Sequence, residues 1–419
     1  MKIKTETATY QEVMAKPHAP HEKPLKPNLF FRTLMRLISI PDLAATHFRY
    51  SGDDLSSIKD QPCMVLMNHS SFIDLGIASK ILYPRPYSII CTSDGFVGKN
   101  WLLRHLGCIP TEKFVSDVTL LKDILYSVRT LKNSILMYPE ASYTFDGTAT
   151  DPPKGLGKFL KKLSIPVVFI KTEGAFARDP LYNMLQKRKV DVSATVSILL
   201  KPDQLQSMTS DEIDTVLKDA FTFDNFRWQQ EKRIKIDEPF RADGLERILY
   251  KCPICKAEGM THGKGIQLEC SNCGTRWTLD EYGQLECENN TCEFSHIPDW
   301  YRWERGEVRD QLVNETYRLD TPVEIGMMVD HEAIYMIGKG RLIHDNTGFH
   351  LTSDDGELVY DQDPKASYSC YSDYYWYELG DIICIGNKQC LYYCFPEQQG
   401  VVAKTRQATE ELYKLVKGS

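Results

Sequence analysis

The pair best suited to moving a proton is a histidine and an aspartate five positions apart, in the stretch Met67 to Asp74, MNHSSFID. A carboxylate beside an imidazole fixes one ring nitrogen as a donor and leaves the other as a general base. A regular helix separates positions i and i+5 by about 140°, so His69 and Asp74 face each other only if the histidine precedes the helix and the aspartate lies in its first turn. The sequence allows this arrangement. Pro62 to Met67 reads as a buried strand, and SSFIDLGIASKIL reads as a helix starting at Ser70 or Ser71. His69 then sits at the carboxyl end of a strand, where open α/β sheets place their sites. Ser71 to Asp74 also matches a capping box, which would place the acid there for the helix alone. Ser70 and Ser71 are not read as nucleophiles, because adjacency in sequence does not make a hydrogen-bonded dyad.

A second constellation is built of sulfur. Cys252 and Cys255, then Cys270 and Cys273, form two C-x2-C pairs separated by fourteen residues. That is close to zinc-ribbon spacing, and four thiolates make a closed tetrahedral site with no position left for water, hence structural zinc. A module this small depends on its metal to fold. Iron in its place would mean a rubredoxin-like redox site. Cys287 and Cys292 form a weaker C-x4-C pair to which no role is assigned.

The elements that must position these groups follow from periodicity. From about His47 to Pro202, short β-like runs (PCMVLMN, YSIIC, SILMYP, IPVVFIK, VDVSATVSILL) alternate with helical stretches such as VTLLKDILYSVRTLKN. This predicts an α/β domain with a mixed, largely parallel sheet flanked by helices. In TSDEIDTVLKDAF, Thr209 and Glu212 form a capping box that opens the closing helix. NLFFRTLMRLISIPD predicts an amphipathic helix ending near Pro41. The expected domains are a leader with the amphipathic helix (1–45), the α/β domain (46–245), the zinc ribbon (246–285), a helical connector (286–320), and a β-rich domain with a closing helix (321–419).

The residues around His69 resemble the glycerolipid acyltransferases, of which bacterial lysophosphatidate acyltransferase is the type. Asn68, His69 and Asp74 match the family's first block, and GCIPTEK, Gly107 to Lys113, resembles the second, with Lys113 where arginine is usual. YPEAS, Tyr138 to Ser142, resembles the third: Pro139 and Glu140 are kept, Ala141 replaces glycine, and Tyr143 or Thr144 replaces arginine. SIPVVFIK resembles the fourth, through Pro166. The resemblance implies acyl transfer from acyl-CoA or acyl-carrier protein to the hydroxyl of a lysophosphatidate-type glycerolipid in phospholipid synthesis. His69 would be the base oriented by Asp74, with backbone amides after His69 as oxyanion donors. It further implies that Asn68, Lys113, Pro139 and Glu140 meet substrate, with Lys154 and Lys158 as substitutes for the missing arginine. Glu140 would bond the acceptor's glycerol hydroxyl or hold a lysine; it also reads as an ordinary acid at a helix start.

A lipid acceptor implies contact with a membrane surface. The amphipathic helix would lie in the interface, with Lys23, Lys26, Arg32 and Arg36 meeting anionic headgroups. The expected location is cytoplasmic, peripheral on the inner face of the cell membrane. No apolar run approaches the roughly 18–20 residues that cross a bilayer, and the first residues lack the apolar core of a secretory signal. The 13 cysteines then suggest metal ligation and free thiols over a disulfide framework. A net charge of −7 argues against nucleic acid as the main partner. The alternatives are an acyltransferase for another lipid alcohol, or a non-catalytic scaffold using the ribbon. The tail's strands and closing helix resemble a pleckstrin-homology-like domain in pattern.

Overall fold

The computed structural model describes residues 2–115, 117–150, 152–288, 293–398 and 400–418. One seven-stranded sheet carries the His69 region. Its order is Arg49–Gly52, Ser193–Leu200, Val167–Glu173, Met64–Met67, Ser134–Met137, Tyr87–Thr92, Cys108–Thr111. All neighbours are parallel except Val167–Glu173 with Ser193–Leu200, so the α/β, largely parallel arrangement is what the chain forms. Met64–Met67 is central and covered on both faces. Val65 and Met67 pack with Ile77 and Ile170, while Met64 and Leu66 pack with Ile124 and Leu160. Two covered faces explain why this strand is an unbroken apolar run.

Two helices depart from expectation. The one after His69 spans Ile73–Leu82, beginning later than Ser70 or Ser71, because Asp74 takes both serine amides into its own carboxylate and closes a turn first. The amphipathic helix spans Leu29–Ala45 and contains Pro41 instead of ending there. Proline removes one N–H, and buried Leu43 beyond it anchors the final turn. The capping box of Thr209 and Glu212 opens the helix Ser210–Phe221 as expected.

The four paired cysteines belong to a module with its own antiparallel sheet, Leu285–Cys287, Arg276–Leu279, Gln267–Cys270, Thr261–Lys264. Beyond the helix Ile297–Val313 lies a β-rich region. Its antiparallel path runs Val359–Gln362, Gly348–Ser353, Ile334–Asp345, Arg318–Met328, Leu391–Pro396, Gly380–Gly386, Tyr371–Trp376. The terminal helix Val401–Lys417 packs on Ile297–Val313 and Tyr371–Trp376. The leader is not separate from this region: Thr5–Thr7 pairs in parallel with the start of Ile334–Asp345.

The β-rich region also locks onto the first sheet. Asp94, just after the strand Tyr87–Thr92, accepts the Tyr371 hydroxyl at 2.6 Å and the Trp376 indole N–H at 3.2 Å. Tyr371 and Trp376 belong to the aromatic-rich segment YSCYSDYYWYELGD, Tyr368 to Asp381.

Candidate active site

His69 leaves its strand with its backbone held on both sides. Its N–H donates to Glu140 Oε2 at 2.8 Å, and its carbonyl accepts the Thr144 N–H at 3.2 Å. The ring's Nδ1 lies 3.1 Å from Asp74 Oδ2. The same oxygen accepts the Ser70 and Ser71 amides at 2.8 and 3.0 Å, while Oδ1 is buried with no hydrogen-bond partner among the described residues. Asp74 therefore serves the turn and the ring together. As a pure acceptor it selects the tautomer with the proton on Nδ1, which leaves Nε2 bare.

Two tyrosines enclose the ring. Tyr138 and Tyr143 each lie 4.0 Å from it between centroids, tilted by 24° and 29°. The side chain keeps 20% of its surface exposed, so an edge of the ring stays reachable. Burial lowers the His69 pKa; the hydrogen bond and charge of Asp74 oppose this, and Lys113 adds to it. The result is an imidazole neutral at neutral pH and ready to accept a proton.

The loop that brings these tyrosines is shaped for the purpose. Ala141 adopts φ 56°, the left-handed conformation that glycine takes most easily, at the position where the resembling family keeps glycine. Pro139 is buried beside it. Glu140 is buried too, and its second oxygen accepts the Thr150 N–H at 2.9 Å. Burial raises its pKa to about 7, against the two amides and the nearby Arg406. Each oxygen thus meets a backbone amide, so Glu140 braces the His69 main chain. Asn68 also bonds the backbone of a neighbouring strand. Its Oδ1 accepts the Thr172 N–H at 2.8 Å, and its Nδ2 donates to the Thr172 carbonyl at 3.2 Å, stitching two strand ends together. The amides of Ser70 and Ser71 are likewise spent on Asp74 and do not serve as oxyanion donors.

Lys113 stands near the ring and faces the β-rich region. Its Nζ lies 4.1 Å from the Tyr371 ring centroid. Burial lowers its pKa, opposed by the charges of Asp373 and Asp94. Burial raises that of Asp373 to about 7, opposed chiefly by Lys113. Lys154 and Lys158 are exposed, and no described contact joins either to this cluster. A chain of polar contacts missed in the sequence ties the amphipathic helix to the site turn. Asp42 accepts Arg178 at 2.9 Å, Arg178 bonds Asp179 at 2.9 Å, and Asp179 accepts the Ser71 hydroxyl.

Residues 47–171 match the family model described as Acyltransferase. That segment is an acyltransferase-family domain. His69, Asp74, Lys113 and Glu140 all lie inside the matched span, and the family reached through the motif blocks is the one matched. Similar solved structures include the crystal structure of the 1-acyl-sn-glycerophosphate (LPA) acyltransferase, PlsC, from Thermotoga maritima. The identity is 15% over 45% of this chain and 76% of that one, with a TM-score of 0.35, a likeness too distant to carry an argument. No curated protein matches. Among the described residues, no helix is long and apolar enough to cross a membrane.

The segment matched to the family ends well before the four cysteines. Cys252 Sγ lies 3.8 Å from Cys273 Sγ, and Cys255 Sγ 3.7 Å from Cys270 Sγ, with all four within 4.8 Å of one another. Four sulfurs about 2.3 Å from a central ion would sit at nearly those separations, so the cluster fits a tetrahedral metal. Both C-x2-C turns close alike, the Lys256 and Gly274 amides bonding the Cys252 and Cys270 carbonyls at 2.9 and 2.8 Å. Cys287 is disulfide-bonded, where no disulfide was expected; Cys292 lies outside the described residues.

Proposed function

We propose that this protein transfers an acyl group from a thioester donor to the hydroxyl of a lysophospholipid. The observation that carries this reading is His69 held at Nδ1 by Asp74 with Nε2 bare at a strand end, inside an acyltransferase-family domain. A hydroxyl is a poor nucleophile at neutral pH. His69 Nε2 takes its proton as the oxygen attacks the thioester carbonyl, and buried Asp74 stabilises the imidazolium that forms. The C–S bond breaks as the tetrahedral intermediate collapses, and the thiolate leaves with the proton from His69. Lys113 is a cation within electrostatic reach of the ring, which supports an anionic acceptor such as lysophosphatidate, with acyl-CoA or acyl-carrier protein as donor.

The route for a lipid is an exposed apolar face. Phe30, Leu37 and Ile38 share one side of the amphipathic helix and are more than half exposed, as are Phe72 and Trp101. Phe72 lies 5.5 Å from Tyr143, which stacks on His69. A peripheral membrane site at this face would deliver the acceptor next to the base.

Purified His69→Ala should lose about 100- to 10,000-fold in acyl transfer from acyl-CoA to lysophosphatidate, with its circular dichroism unchanged. Near-wild-type turnover in that variant would refute the mechanism. Equal turnover of monoacylglycerol and lysophosphatidate would refute the anionic acceptor and leave a neutral lipid alcohol in its place.

A further inference from the structure

Arginine is absent from the loop Tyr138 to Thr144, yet a guanidinium reaches it from the far end of the chain. Arg406, on the terminal helix, is buried, and its Nη1 donates to Ser142 Oγ at 3.3 Å and to the Tyr143 carbonyl at 3.4 Å. Its guanidinium lies 4.5 Å from the Phe145 ring centroid. Its Nε donates to Glu410 Oε1 at 3.3 Å, and Glu410 is itself held by Arg305 at 2.6 Å and the Ser369 hydroxyl at 2.7 Å. A buried arginine is costly unless its fork is used, and here the fork is divided between a carboxylate on its own helix and the loop that covers His69.

The terminal helix is itself fixed. Lys404 pairs with Glu258 of the cysteine module at 2.6 Å, and Gln407 donates to the Tyr301 carbonyl at 3.0 Å. The cation therefore arrives on a rigid element. The loop it meets holds Tyr143 against the imidazole and Glu140 against the His69 amide.

We propose that Arg406 is a positioning residue for His69: by holding Ser142 and the Tyr143 carbonyl it fixes the loop whose tyrosine stacks on the imidazole. This rests on the reading of His69 as the general base. Arg406 touches neither the ring nor the place of the reacting atoms, so it acts through Tyr143. The groups around the ring are Asp74, Lys113, Tyr138 and Tyr143; those around Arg406 are Glu410 on its own helix, Arg305 and Tyr301 on Ile297–Val313, and Lys113 and Glu140 from the acyltransferase domain.

The test compares full-length wild type, Arg406→Met and Arg406→Lys. The His69 imidazole is titrated by NMR with labelled histidine, assigned by its loss in His69→Ala, and acyl transfer is measured in parallel. In Arg406→Met the His69 titration should move up toward the ordinary histidine range as Tyr143 uncovers the ring. There kcat should fall about tenfold or more with the donor KM within about twofold. Arg406→Lys, which keeps the charge without the fork, should fall between the two. An unmoved His69 titration in folded Arg406→Met overturns the proposal. Should Arg406→Met fail to fold, Ser142→Ala removes only the hydroxyl partner: a smaller shift in the same direction supports the proposal, and no shift overturns it. The titration reads the ring whether or not acyl transfer is detected, so a wild type without transfer would count against the function alone.

Discussion

At the scale of single residues, the site sets a carboxyl group that prefers its proton beside an imidazole that prefers to be without one. Glu140 has an ordinary pKa in the unfolded chain, and burial raises it to about 7 in the fold. The folded protein holds that proton more tightly. The stability this group contributes is therefore complete below about pH 4.5 and is lost as the pH rises through about 7. Glu140→Gln, neutral throughout, escapes that loss. On going from about pH 5 to about pH 8, the unfolding free energy of the variant should move in its favour relative to wild type, as read by urea titration. A difference that stays constant would show that Glu140 titrates normally. The variant should still lose about tenfold in kcat, since an amide side chain offers one acceptor where two backbone N–H groups wait.

The His69–Asp74 pair was legible because five-residue spacing across a strand end permits one geometry. Its surroundings were not. Tyr138 and Tyr143 are visible in the sequence, but nothing local says that a backbone turn at Ala141 folds them onto opposite faces of one ring. For Asn68 and Glu140, motif position says where a residue lies and not which backbone groups it also holds, here Thr172, His69 and Thr150.

At the scale of elements, the amphipathic helix was foreseen by its period, and three of the cations on or before it also make contacts within the protein. Lys26 donates to the Leu131 carbonyl at 2.9 Å, Arg32 donates to the Pro84 carbonyl, and the Arg36 guanidinium lies 4.5 Å from the Tyr83 ring centroid. Long cationic side chains have folded back onto the protein, while Phe30 and Ile38 stay outward, 66% and 67% exposed. Apolar burial should then dominate attachment, with a small electrostatic share. In sedimentation with phosphatidylcholine vesicles, Phe30→Ser with Ile38→Ser should reduce binding about tenfold or more, by the transfer energy of two large side chains. Wild-type binding that vanishes in moderate salt would instead return the role to the cations.

At the scale of the whole molecule, the α/β sheet and the β-rich region were anticipated from local pattern and the cysteine module from its spacing, and the contacts between them were not. Nothing periodic connects Thr5 to Ile334, or Lys113 to Asp373. The cysteine module illustrates the consequence. Its spacing predicts a metal, and the structure adds that it clamps the terminal helix through Glu258 and Lys404. Fresh protein should contain about one zinc per chain by elemental analysis, and Cys270→Ser should lose it, lower Tm and reduce acyl transfer although the cysteine is absent from the His69 site. Full activity in metal-free protein would separate the module from catalysis; iron would assign it redox work.

The bond between Arg406 and Ser142 spans 264 positions of chain. Synthesis proceeds from the amino end, so the base, its acid and the loop that covers them emerge well before the arginine that pins that loop. For that interval a nascent chain displays a complete motif with its ring unfastened. On the proposed role of Arg406, the fastening of that loop over His69 waits for the last helix of the chain to be made.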